Sequence, residues 1–171
     1  MIRHFSIFFL LLTLASTKGW ACDCRYGGPF LKMAQRTQLV AFVKVTKFLT
    51  FKDIYGDKTP MSMEVEIIEI YKGVETRKTI TVWGDPGHLC RPYLSTFKEG
   101  QHYVIAFYPG TPNNGHANEK ITDYSISICG SYWLTVDFQK NVASGDIDSK
   151  DRKSQTMDLS ILKSALKKNG H

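Results

Sequence analysis

Two of the four cysteines in this chain, Cys22 and Cys24, are separated by a single residue, while Cys90 and Cys129 stand far downstream. A disulfide holds its alpha carbons roughly 4.4 to 6.8 Å apart with a restricted dihedral, so a bridge across one residue would be strained. Two long-range pairings remain: 22 with 90 and 24 with 129, or the crossed set. Either one forces two distant parts of the fold to meet one short segment near the start. The rival use is a four-cysteine zinc or iron–sulfur site. Structural zinc sites carry two short Cys-x-x-Cys knuckles, whereas one close pair of different spacing exists here.

The residues before Cys22 read as a cleaved secretory signal, 1–21. Arg3 and His4 make a basic start, Phe5 to Ala15 an apolar run, and Gly19-Trp20-Ala21 offers small residues at the two positions a signal peptidase inspects. The apolar run stops at Ser16-Thr17-Lys18, about half the roughly 20 residues a membrane span needs. Cleavage is expected after Ala21, leaving Cys-Asp-Cys as the mature start. Lipidation of Cys22 is disfavoured by Gly19 and bulky Trp20, where a lipidation signal would have Leu three positions upstream. Export would place the cysteines where disulfides persist, in the extracellular space or in the periplasm of a Gram-negative bacterium.

Removing the leader leaves 150 residues, enough for one domain with a real core. It also drops Arg3 and Lys18, so 20 basic residues face 16 acidic ones. The densest basic stretch, Lys150 to Lys168, is interleaved with Asp151 and Asp158 and reads as a solvated tail rather than a nucleic-acid footprint.

After Cys24 a turn-rich stretch, Arg25 to Pro29, leads to a short helix with Phe30, Met33, Ala34 and Thr37 at helical spacing. Five strands are expected: Leu39 to Phe51, Met61 to Tyr71, Thr79 to Trp83, His102 to Tyr108 and Ile121 to Cys129. The first two form a hairpin with turn residues across 53–60. The third is followed by a loop, Gly84 to Cys90. Pro109 to Lys120, with two prolines, two glycines and three asparagines, reads as an exposed loop. Five strands fit a small closed barrel better than a sandwich, which usually wants seven or more. Gln139 to Gln155 reads as a polar linker, after which Thr156 caps a helix presenting Leu159, Leu162 and Leu166 to the barrel and ending at Gly170. No internal repeat and no low-complexity segment interrupts this pattern.

Enzymatic motifs are absent from the sequence. Cys90 has His88 nearby and His102 on the next strand, but an exported chain with an even cysteine count leaves no free thiol to act as nucleophile. His88, His102, His116 and His171 lack metal-ligand spacing and read as surface or packing residues. Glu64, Glu66 and Glu69 line a strand rather than facing one another across a cleft. There is no Gly-x-Ser-x-Gly and no phosphate loop.

From Cys22 to about Val136 the chain resembles the inhibitory domain of the tissue inhibitors of metalloproteinases and, more broadly, netrin-like modules. The resemblance is carried by Cys-x-Cys after the signal, the Asp53-Ile54-Tyr55-Gly56 hairpin tip, and Val65 to Gly73 ending Tyr71-Lys72-Gly73. It continues through the lone Cys90, Gly100 to Ile105, and Ser127-Ile128-Cys129 followed by Trp133. It implies a mainly β fold, a five-stranded OB-fold-like Greek-key barrel with short flanking helices. The implied organisation is the signal, the barrel domain over 22–138, and the linker and C-terminal helix over 139–171.

The resemblance also implies the pairing Cys22–Cys90 and Cys24–Cys129, and a function: inhibition of a secreted or cell-surface zinc metalloprotease. An α-amine has a pKa near ~8, low enough to release its proton to a metal. The amine and carbonyl of Cys22 would close a five-membered chelate on the protease's zinc, displacing the water in its open position. Asp23 would enter the pocket beside the metal, and Gly87, His88 and Leu89 would flank this wedge, with Cys24 holding it. The inhibitor would be a monomer with no cofactor of its own, the zinc coming from the target, and with no nucleic-acid partner and no membrane span after cleavage. The family usually has Thr or Ser where Asp23 stands; a carboxylate in an apolar pocket costs several kcal/mol, which counts against typical matrix proteases as targets. The third disulfide of the vertebrate barrel and the cysteine-rich second domain are missing, and Arg91 replaces the glycine common after the equivalent of Cys90. The alternatives are a netrin-like extracellular binding module without inhibitory activity, and an OB-fold that binds oligonucleotide or sugar, against which export and the weak basic signal count.

Overall fold

Leu39 to Val45 is a run of β-branched, aliphatic and aromatic residues with only Lys44 interrupting it, and it is buried on both faces except at Lys44. Such a run needs neighbours on both edges. In the computed structural model, which describes residues 22, 24–112 and 115–168, strand β1 (Leu39–Ile54) has β2 (Asp57–Lys72) on one edge and β4 (His102–Pro109) on the other, both antiparallel. The expected leader 1–21, Asp23 and the helix end at Gly170 lie outside the described residues. Among the described residues no helix is long and apolar enough to cross a membrane.

The barrel closes in the order β1-β2-β3-β5-β4 and back to β1, with β3 spanning Thr79–Trp83 and β5 only Tyr124–Ser125. β3 and β5 run parallel, pairing Val82 with Tyr124 and Trp83 with Ser125; every other barrel contact is antiparallel. This is an OB-fold-like five-stranded barrel. Irregularities in the β1–β2 register, between Phe42 and Val43 and again between Val45 and Lys47 among others, bend the long hairpin around it.

The hairpin differs from its expected form. Its strands continue through 53–60 to a two-residue turn at Tyr55-Gly56, both with positive φ, and Asp53 pairs with Lys58. Polar residues there read as a loop in sequence, yet strand pairing on a solvated arm needs no apolar face once the barrel has set the register. The fifth strand is also shorter than Ile121 to Cys129. Ile121 and Ile128 are exposed and Ile126 is buried, because beyond Ser125 the chain leaves the barrel to reach the disulfide at Cys129.

The expected polar linker 139–155 contains strand in the structure, at 142–145 and at 155, which extends the sheet outside the barrel. One edge of β4 is shared: β5 takes its end, and β6 (Trp133–Asp137) takes its first half. β7 (Val142–Gly145) and β8 (Gln155–Asp158) extend that sheet. The segment looks polar because its apolar residues are few, but Ala143 and Ile147 have no exposed surface and join the single core cluster. Helix α1 (Phe30–Ala34) and helix α2 (Leu159–Lys168) cover the barrel. Leu159, Leu162 and Leu166 are buried, as their spacing requires. Thr156 belongs to β8, and the cap is Asp158, whose Oδ1 accepts the Ser160 N–H at 2.7 Å.

If 139–155 is part of the core rather than a linker, Ile147→Ala will lower unfolding free energy by about 2–5 kcal/mol in urea. A value within ~0.5 kcal/mol of wild type would return the segment to linker status.

Candidate functional site around the paired cysteines

The structure pairs Cys22 with Cys90 and Cys24 with Cys129, with alpha carbons 5.2 and 5.5 Å apart. The crossed set is excluded. All four sulfurs lie within 4.8 Å of one another. Being bonded in pairs, they lack the thiolates that a metal would need. The cysteines are cross-links, and the two bridges stand side by side, with Cys22 Sγ 4.0 Å from Cys24 Sγ.

Of the expected wedge residues, Cys22, Cys24, Gly87, His88 and Leu89 are gathered at this edge of the barrel. The loop that follows β3 brings Gly87 and His88 to the surface, and Leu89 is half-buried beside the first bridge. Asp23 lies outside the described residues.

The flanking loop is held by a residue that sequence reasoning passed over. Asp85 is nearly buried, and its Oδ1 accepts the N–H groups of Gly87, His88 and Leu89 at 2.8, 2.8 and 2.7 Å. One carboxylate oxygen thus satisfies three successive donors that have no strand or helix partner. The base of the loop closes where Asp85 N–H donates to Pro92 O at 3.1 Å. Gly84, just before it, is packed so closely that a Cβ would lie 2.9 Å from Pro92 O. The signal was present in Asp85-Pro86-Gly87, an Asx-turn composition.

Arg91, next to Cys90, makes a bidentate pair with Glu119: Nη1 to Oε2 and Nη2 to Oε1, both 2.9 Å. The Glu119 side chain is fully buried. Its oxygens also accept the N–H groups of Thr111 (2.7 Å) and His116 (3.2 Å), and Arg91 Nη2 donates to Thr111 Oγ1 at 2.6 Å. The expected exposed loop 109–120 is therefore folded around a buried carboxylate and fastened to the loop that carries Cys90. His116, expected as a surface or packing residue, lies tilted against the Trp83 ring with centroids 4.8 Å apart and Nε2 2.9 Å from Gly84 O. Trp83 Nε1 donates to Asp123 Oδ2 at 2.8 Å, which also accepts Lys120 N–H. Nothing in sequence marks the Arg91–Glu119 partnership, since it is long-range and each residue alone reads as surface.

Burial would raise the Glu119 pKa, but the Arg91 guanidinium and the two N–H donors outweigh it and hold the carboxyl below its ordinary value. Beside the bridges lies a shallow, largely apolar depression of about 720 Å³, lined by Leu89, Tyr108, Ile121, Ile126 and Tyr132 among others. No protein-family model and no curated protein matches the chain.

Removing one partner of the buried pair leaves an uncompensated charge or donor, so Glu119→Gln will cost about 3–5 kcal/mol, and replacing Arg91 and Glu119 together with Met and Leu will recover much of it. Denaturant unfolding of wild type and the two variants checks this. Because the folded pKa of Glu119 lies below its unfolded value of about 4.3, its contribution is complete above that value and is lost as pH falls through the folded pKa. The stability difference between wild type and Glu119→Gln will therefore be flat near neutrality and shrink on acidification below about pH 4.

Proposed function

We infer that the chain is a metalloprotease inhibitor acting through the backbone of Cys22, in the manner of the tissue inhibitors of metalloproteinases that its sequence resembles. The observation that carries the reading is the double tether: both cysteines of Cys22-x-Cys24 are bonded to the barrel beside an exposed loop whose backbone is itself pinned by Asp85. A terminal amine and its carbonyl can chelate zinc in a five-membered ring, and a rigid edge lowers the entropy lost on docking. Once Ala21 is removed, Cys22 supplies both atoms. Asp23 would then enter the protease pocket beside the metal, where a basic group would relieve its desolvation. Gly87, His88 and Leu89 would contact the rim.

A netrin-like binding module is the second reading, favoured by the apolar depression beside the bridges and by exposed Ile121 and Ile128. It would use the loops and not the amine.

The two readings separate on the first atom of the mature chain. Protein beginning at Cys22 is expected to inhibit at least one member of a panel of zinc proteases that includes enzymes with a basic pocket. The same protein with one added alanine before Cys22 is expected to lose roughly a hundredfold or more in inhibition, the scale of a central hot-spot contact. Equal inhibition by both forms, or none by the free-amine form, would sink the chelation reading. Within the same panel, Asp23→Thr should shift preference toward proteases with apolar pockets, read as the ratio of inhibition constants.

A further inference from the structure

Between Cys24 and α1, the segment Arg25 to Pro29 has no regular secondary structure, so its course depends on what holds it individually. Gly27 N–H donates to Cys129 O at 2.8 Å, and Gly28 O accepts Ser131 N–H at 3.1 Å. These bonds lay the segment along the chain beyond the second bridge. A Cβ at Gly27 would lie 2.9 Å from Cys129 O, so this approach requires glycine.

The remaining holds come from the β6–β8 extension. Helix α1 has no side-chain cap. The N–H groups of Phe30 and Leu31 instead donate to the carbonyls of Asp146 and Ile147, at 2.9 and 3.0 Å. The Tyr26 hydroxyl donates to Asp146 Oδ2, which also accepts Ser131 Oγ at 3.0 Å. The Arg152 guanidinium lies 3.9 Å from the Tyr26 ring centroid. Burial, followed by the bond to Asp146, pushes the Tyr26 pKa up, so the hydroxyl keeps its proton and remains a donor at neutral pH. Ile147, fully buried, fixes the Asp146 backbone to the core.

Tyr26 is two residues from Cys24, and Ser131 is two residues from its partner Cys129. The tyrosine therefore adds a third fastening directly behind the two bridges, and its anchor belongs to the part of the chain that lies outside the barrel. We propose that Tyr26 and Asp146 are positioning residues for the wedge, through which the β6–β8 extension sets the direction of the segment carrying Cys22. This rests on the reading of Cys22 as the zinc-binding end. Neither residue touches the metal; the pair acts by restricting how the segment leaves the bridges, and the extension becomes part of the inhibitory apparatus.

The test combines amide exchange with inhibition in disulfide-intact, full-length mature protein. In Tyr26→Phe, exchange at the Gly27 amide should accelerate and inhibition should weaken, each by about tenfold, the worth of one hydrogen bond to a charged group. Asp146→Asn keeps an acceptor without the charge and should lose clearly less than Asp146→Ala in both readouts. Asp146→Ala should match Tyr26→Phe, and the double variant should be no worse than either single one. That rescue and non-additivity would not follow from a general loss of stability. Wild-type exchange in Tyr26→Phe, or losses that add in the double variant, would overturn the proposal. If the free-amine wild type inhibits no protease while the exchange pattern holds, the zinc reading fails and the fastening of the segment by Tyr26 and Asp146 stands.

Discussion

Two disulfides lying side by side govern how the chain enters the barrel. They tie Cys22 and Cys24 to the loop after β3 and to the segment after β5, the two places where the chain leaves the barrel wall. Closing separations of 68 and 105 residues restricts the unfolded chain by about 4–5 kcal/mol each in the chain-entropy account. Because Cys22 and Cys24 are separated by one residue, the entering segment is held at two nearby side chains on the same edge. A short segment without regular secondary structure would ordinarily fray; this one is cross-linked at both cysteines.

Around that edge, order is supplied by carboxylates rather than by helix or strand. Asp85 gathers three N–H groups, Glu119 gathers a guanidinium and two N–H groups, Asp123 gathers an indole and an N–H, and Asp146 gathers two hydroxyls. Irregular backbone cannot satisfy its own donors, and buried donors left unpaired are costly. An acceptor with several lone pairs solves this locally, at the cost of burying an acid that must then be well partnered. The surface beside the bridges is thus ordered without being regular.

The barrel strands were legible because their apolar runs are strong. Leu39 to Val45, Met63 with Val65, and Tyr103 to Phe107 bury enough surface to mark themselves. β6, β7 and β8 were not. Thr135, Gln155 and Thr156 face solvent, and Leu134, Val136, Ala143 and Ile147 are buried in the core with Trp133 and Met157 packed partly against it, so the alternation is too short and too polar to stand out. The expected site residues at Cys22, Cys24, Gly87, His88 and Leu89 were named from resemblance, and the structure gathers them at one edge. Asp85 had a local turn signature; Glu119 and Asp146 had none, because what makes them structural is a partner far away in sequence.

By itself, the sequence determined that four cysteines had to join a short early segment to two distant ones, that the chain would build a small β barrel, and that a leucine-faced helix would close it. These follow from covalent reach and from residue periodicity, which are local properties. Tertiary structure alone decided which cysteine met which, where β5 gave way to the bridge, and that 139–155 joined the core. It also decided that Arg91 and Glu119 would bury each other and that Tyr26 would lean on Asp146. Each of those depends on the free energy of bringing distant groups together out of water, which no single stretch of residues encodes.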